Sequence, residues 1–185
     1  MNSIGLLVAQ NQALIWRGPM AVQALEQLLR QTRWGATPDD VLDYLIVDMQ
    51  PGTGDIQISM SQRAPSTGVV MVTTPQDIAL LDVKLGVAMF QKVGIPVLGV
   101  VENMAVHTCS QCGHKENIFG ADGGKRLAQE QGLPYLGALP LELQICQQAD
   151  SGTPTVAAER HGALAALYRD MALQVAAGLA KMPMD

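Results

Sequence analysis

The sequence predicts an α/β fold, a mainly parallel sheet with helices on both faces. Three observations carry that reading. Short apolar runs at Tyr44–Val47, Gly68–Thr73, Ile95–Val101 and Tyr135–Leu139 have the look of buried strands and stop at turn or breaker residues. Helical patterns of about ten residues or more alternate with them, which implies right-handed crossovers between parallel strands. The chemically unusual residues follow the apolar runs, so they gather along the carboxyl edge of the sheet, where such folds bind ligands.

In chain order, Ile4–Val8 is an apolar run with strand character, and Trp16–Pro19 reads as a turn. From Met20 to Thr32 the positions Ala21, Ala24, Leu25, Leu28 and Leu29 share one helical face, opposite Glu26, Gln27 and Arg30. A loop at 35–40 leads to the strand at Tyr44–Val47, which ends in Asp48. Pro51, Gly52, Thr53, Gly54 and Asp55 follow. An acid at a strand end before glycines is how an open α/β sheet builds a site for phosphate and Mg²⁺.

A helix over about Ile56–Arg63 precedes the strand Gly68–Thr73 and the turn Thr74-Pro75-Gln76-Asp77. Ile78–Lys92 then reads as a helix with Ile78, Leu81, Leu85, Met89 and Phe90 as its inner face. The strand Ile95–Val101 runs into Glu102-Asn103-Met104 and a loop that holds His107, Cys109, Cys112 and His114. A loop of about 15 residues is too long for a simple connection and points to function. Gly123–Gln131 is a helix, Tyr135–Leu139 a strand and Leu141–Gln148 a short helix. Ala157–Lys181, with Leu164, Leu167, Met171, Val175 and Leu179 at helical spacing, closes a single domain over 1–185.

The 185 residues suffice for one domain with a real core. Hydrophobic content of 48%, charged content of 16% and a net charge of −5 describe an ordinary globular protein and suggest neither nucleic acid nor membrane as a partner. No apolar run reaches the roughly 18 residues of a span, and the N-terminus lacks the features of a signal peptide. A cytoplasmic protein is expected. Three cysteines do not make a secreted disulfide framework, so the close pair Cys109 and Cys112 reads as metal-binding or redox.

Cys109-Ser-Gln-Cys112 puts two thiolates within reach of one metal. Three completions are open. His107 and His114 could complete a zinc site; a second copy of the chain could supply two more thiolates to a shared four-iron, four-sulfur cluster; or the pair could serve thiol–disulfide chemistry. The remaining thiol, Cys146, lies in an apolar helical pattern and is expected in the core. No G-x-x-x-x-G-K-[ST] phosphate loop occurs. Gly123-Gly124 before Lys125 reads as a helix entry instead.

Taken together, these segments resemble the Mrp family of iron–sulfur cluster carrier ATPases, relatives of MinD and ParA within the deviant Walker-A class of P-loop NTPases. Trp16-Arg-Gly-Pro-Met20, Leu42–Met49, Pro51-Gly-Thr-Gly-Asp55, Val72–Asp77, Glu102-Asn-Met104, Cys109–His114 with Ile118-Phe-Gly120, and Asp150-x-Gly-x-Pro154 stand in that family's order. The resemblance covers nearly the whole chain. It implies ATP binding and hydrolysis, a homodimer, and a labile cluster, 4Fe–4S in type, carried for transfer to apo iron–sulfur proteins. It further implies that Asp48 and Asp55 are the catalytic acids, with Asp48 holding Mg²⁺ through water. Pro51, Gly52, Thr53 and Gly54 would form the turn that senses the γ-phosphate, Asn103 would read adenine, and Cys109 with Cys112 would bind the cluster.

The chain departs from that family at one important place. The family's phosphate loop and the switch strand after it have no counterpart here, so the resemblance implies the carboxyl two thirds of such a domain, Met1 being internal to a longer protein. A sheet without its central strand leaves backbone groups unpaired, and poor autonomous stability is expected. Gln50 and Glu142 stand where the family usually has Pro and Asp. The missing motif leaves open an alternative, a binding or assembly module without nucleotide turnover. A MinD-like, zinc-binding regulator is weaker, because Lys181–Asp185 makes no amphipathic tail.

Overall fold

The computed structural model describes residues 2–6, 18–35, 37, 40, 42–49, 57–59 and 67–182. The chain divides into two compact units, Met1–Pro65 and Ser66–Asp185.

In the first unit a short 3-10 turn at Ile4–Leu6 stands where strand character was expected, and the rest of that run lies outside the described residues. Helix α1 (Gly18–Gln31) forms where a helix was expected, but the side chain it buries is Val22, beside the predicted face, while Ala24, Leu25, Leu28 and Leu29 are half-buried. Its last turn leaves carbonyls without intrahelical partners, and side chains beyond the helix satisfy two of them. Thr32 Oγ1 donates to Leu28 O, and the Trp34 indole N–H donates to Leu29 O at 3.0 Å.

The run Tyr44–Val47 corrects the sequence expectation. It forms no strand, and Tyr44, Leu45 and Ile46 are 57%, 43% and 83% exposed. A strand covered on both faces needs neighbours to pair with, and no described strand pairs with this segment. Residues 57–59 are helical, within the span expected for a helix.

The second unit is built on a three-stranded parallel sheet of β1 (Val69–Thr73), β2 (Val97–Glu102) and β5 (Tyr135–Ala138), in the order β1-β2-β5. Successive side chains of β2 point to opposite faces and so divide the core in two. On one side Val100 packs with Leu80, Val83 and Val87 of α2 (Asp77–Lys92) and with Leu127 and Ala128 of α3 (Gly123–Gln131). On the other, Val101 packs with Leu136, Leu139 and Met171, backed by Leu167, Tyr168 and Val175 of the C-terminal helix. The expected helices on both faces are therefore present. Lys84 of α2 and Glu130 of α3 form an ion pair at 2.7 Å across the first layer.

Helix α2 turns a different face inward from the one its spacing suggested. Ile78, Leu81 and Leu85 are 79%, 57% and 56% exposed, while Leu80, Val83, Gly86 and Val87 are buried. The helix has two apolar stripes, and the stripe containing glycine can approach the sheet more closely. A Cβ on Gly86 would lie 2.8 Å from Met71 Cε of β1, a flexible side-chain tip that would have to shift to admit it.

Helix α4 (Leu143–Asp150) starts later than expected because Leu141 is held in the ladder, its amide donating to Val106 O at 2.9 Å. The final helical pattern is broken into α5 (Thr155–Ala158) and α6 (Ala163–Leu179), with Gly162 extended at the entry to α6. Cys146 on α4 is exposed rather than in the core, and its thiol points to Asp150 Oδ2 at 3.6 Å, one helical turn on. Among the described residues, no helix is long and apolar enough to cross a membrane.

Candidate functional site

The carboxyl ends of β1, β2 and β5 bring three motifs together, and backbone hydrogen bonds continue the sheet beyond the strands. Asn103 N donates to Thr73 O at 2.7 Å, and Leu139 N donates to Glu102 O at 2.8 Å. Ala105 N then donates to Leu139 O at 3.0 Å, and His107 forms a parallel bridge with Leu141. The chain therefore runs from β2 through Asn103 to His107 with its backbone tied to both neighbours.

Asn103 sits at the edge of this seam, half-buried. Its Oδ1 accepts the Met104 amide at 3.0 Å, which orients the side chain and leaves the Nδ2 donors and the second Oδ1 lone pair for a ligand. Met104 takes a left-handed backbone with φ of 57°, unusual for a residue with a side chain, and turns the chain out of β2 toward the cysteines.

Glu102 is the residue that sequence reasoning left without a role. It is only 2% exposed, and its carboxylate accepts the Gly124 amide in the first turn of α3. Asp122, at the N-cap position of that helix, makes no side-chain cap, so Glu102 satisfies a helix-end donor from another element. The glycines allow this approach. A Cβ would lie 2.6 Å from Pro75 O at Gly123 and 3.0 Å from Glu102 Cβ at Gly124. The pair is thus a helix entry, as the sequence indicated. The available signal was an acid closing an otherwise apolar strand.

Beyond His107 the chain forms a small hairpin of β3 (His107–Thr108) and β4 (Lys115–Glu116), antiparallel with His107 opposite Glu116 and Thr108 opposite Lys115. The turn between them holds both candidate ligands. Cys109 N donates to His114 O and Gly113 N donates to Cys109 O, each at 2.9 Å. Cys109 is half-buried and Cys112 exposed.

The backbone amides of Cys112 and Gln111 hydrogen-bond to the Cys109 sulfur, the Cys112 side chain adds a third contact, and His107 adds charge. Together these outweigh partial desolvation and hold the Cys109 thiol below its usual range. His107 Nδ1 is engaged by Leu141 O at 3.1 Å. Among the described residues no set of three His, Cys, Asp or Glu side chains stands together as metal ligands. The knuckle presents two cysteine sulfurs, soft ligand atoms, with coordination positions to be filled from elsewhere.

Of the residues singled out in the sequence, the structure groups Asn103, Cys109 and Cys112 on one extension of β2. Asp48 is exposed in the first unit. Pro51, Gly52, Thr53, Gly54 and Asp55 lie outside the described residues.

Comparison with known proteins gives this geometry a context. Residues 1–176 match the ParA family model described as NUBPL iron-transfer P-loop NTPase. The iron-sulfur cluster carrier protein of Escherichia coli K12 is 53% identical over 178 residues, which are 96% of this chain and 47% of that protein. The iron-sulfur cluster transfer protein NUBPL of Mus musculus is 49% identical over 181 residues, 98% of this chain and 55% of that one.

The chain thus spans about half the length of the curated relatives it matches. Among solved structures, a nucleotide-binding protein of Archaeoglobus fulgidus in complex with ADP is 33% identical with a TM-score of 0.55, covering 62% of this chain and 47% of that one. The cell division ATPase MinD of Pyrococcus furiosus shares the fold at a TM-score of 0.60 and 18% identity, covering 85% of this chain and 59% of its own.

Proposed function

The chain belongs to the NUBPL iron-transfer P-loop NTPase family, and on that premise we propose that it holds an iron–sulfur cluster on Cys109 and Cys112 and passes it to apo-proteins. The observation that carries this reading is the knuckle itself, two thiols on one hydrogen-bonded turn with no third ligand beside them among the described residues. Two thiolates fill half the usual ligand set of a four-iron, four-sulfur cluster. A homodimer that brings two knuckles to its axis supplies the other half, which accounts for a solvent-facing site with an incomplete ligand set.

The cluster is cargo, and the residues around it keep the site in shape. Amides directed at Cys109 stabilise negative charge on its sulfur, and the hairpin ladder fixes the spacing of the two thiols. Nucleotide enters the same reading through Asn103, whose free Nδ2 suits an adenine edge, and through Asp48 as the acid that holds Mg²⁺ through water. Pro51, Gly52, Thr53, Gly54 and Asp55 complete the proposed γ-phosphate turn. ATP bound near Asn103 would bias the dimer, and so the grip of four thiolates on the cargo.

Anaerobic reconstitution tests the proposal. The loaded protein should be a dimer with a broad visible charge-transfer band and about four irons per dimer. Cys109→Ala should remove most of the iron. A monomer holding a complete ligand set, or a Cys109→Ala protein with full iron, would sink the proposal.

A second reading keeps the knuckle but drops turnover, because these 185 residues contain no G-x-x-x-x-G-K-[ST]. In that case the chain pairs with a subunit that hydrolyses ATP. Hydrolysis by this chain alone excludes it.

A further inference from the structure

We propose that the two thiols have unequal tasks: Cys109 is the retaining ligand, and Cys112 is the leaving ligand, the position at which a client cysteine enters. This rests on the carrier reading above and goes beyond it by giving transfer an order.

The asymmetry is built into the hairpin. Cys109 continues directly from β3, and both of its backbone polar groups are engaged, with His114 O and with Gly113 N, at 2.9 Å each. Cys109 is half-buried. The less exposed position is the harder of the two for an incoming thiol to reach, which makes Cys109 the ligand that stays longer.

Cys112 lies on the far side of the turn and is exposed, as are its neighbours Ser110, Gln111, Gly113 and His114. A Cβ built on Gly113 would meet nothing within 4 Å, so there is open space immediately beside Cys112. Of the two thiols on this hairpin, Cys112 is therefore the one an incoming chain reaches first.

The exchange step balances as a ligand substitution. The client cysteine gives up its proton, and its thiolate forms a bond to the iron held by Cys112. The bond from that iron to Cys112 Sγ breaks, its electron pair leaves with the sulfur, and Cys112 takes up a proton. No electron passes to or from the cluster, so the step needs no oxidant or reductant. Cys109 remains bound until a second client thiol arrives.

Residue-resolved alkylation tests this order. The protein is reconstituted in a Cys146→Ser background, because Cys146 is exposed and would otherwise consume reagent. Loading is verified by iron content and absorption. Limiting iodoacetamide is then added, and each cysteine is followed by peptide mass spectrometry.

Cys112 should be alkylated several-fold faster than Cys109, with iron lost in step with its modification. Cys112→Ser should also retain more iron after gel filtration than Cys109→Ser. Equal rates, prior alkylation of Cys109, or equal iron loss in the two variants overturns the assignment while leaving the carrier reading intact. Failure of the parent protein to load overturns the carrier reading and the assignment with it.

Discussion

The Gly124 amide donates to the buried carboxylate of Glu102, so the first turn of α3 is capped from the end of β2. This one bond ties a helix that carries much of the core to the strand leading to the cysteines.

Removing the acceptor should therefore be costly. Glu102→Ala is expected to lower stability by about 1–3 kcal/mol in urea unfolding, and Glu102→Gln by less, because it retains an oxygen for the amide. Gly124→Ala should also destabilise, since its Cβ would lie 3.0 Å from Glu102 Cβ and 3.1 Å from Oε2. In the double variant with Ala at both positions the losses should fall only slightly short of their sum, because truncation removes the Oε2 contact but leaves the position-102 Cβ at 3.0 Å and Thr73 Cγ2 at 3.2 Å.

The inward face of α2 gives a second test. Leu80→Ala should cost about 2–5 kcal/mol, whereas Leu81→Ala should stay within about 0.5 kcal/mol of the parent. Equal losses would mean that the stripe through Leu81 is the buried one.

The Cys109 thiol should titrate below the ordinary thiol range. Its causes are the Cys112 amide first, then the Gln111 amide, the Cys112 side chain and the charge of His107. Ligation requires the thiolate, so a lowered pKa keeps the site competent at more acidic pH than an unperturbed thiol would. In metal-free Cys146→Ser protein, ultraviolet thiolate absorbance should show one early titration, and His107→Gln should move it upward. An unshifted midpoint would remove His107 from the set of causes.

Tyr135 gives the alkaline prediction. Burial first, then the charges of Glu102 and Asp122, push its phenol from 10.0 up to about 12. The unfolded chain releases this proton at the lower pH and the folded chain at the higher one. The contribution is fully present below pH 10.0 and is lost progressively as pH rises toward about 12. Tyr135→Phe should flatten the fall in stability over that window, followed by circular dichroism.

Much of the second unit was legible in the sequence. The strands at Val69–Thr73, Val97–Glu102 and Tyr135–Ala138 follow the apolar runs because each has a partner in the sheet. The same kind of run at Tyr44–Val47 forms no strand among the described residues. Apolar spacing records which side chains favour burial but not whether a neighbouring strand exists to pair with them.

The face of α2 was misread for a related reason. Two stripes had similar apolar content, and the one carrying Leu80, Val83, Gly86 and Val87 lies inward against β1 and β2, a choice that spacing does not encode. Cys146 failed in the same manner, since an apolar helical pattern cannot tell which short helix lies against the core. The cysteine pair and Asn103 were visible as motifs. The cap from Glu102 to Gly124 joins segments 22 residues apart, so only the fold could reveal it, whereas the amides beside Cys109 come from Gln111 and Cys112 in the same turn.

The ladder that runs from Asn103 to His107 leaves no swinging arm between the body of the unit and the thiols. A hand-off built on this frame cannot work by reaching outward with the load. The recipient has to come to the doorstep, so the shape of its own cysteine-bearing loop, and how deeply that loop fits over the turn, will decide which proteins can be served.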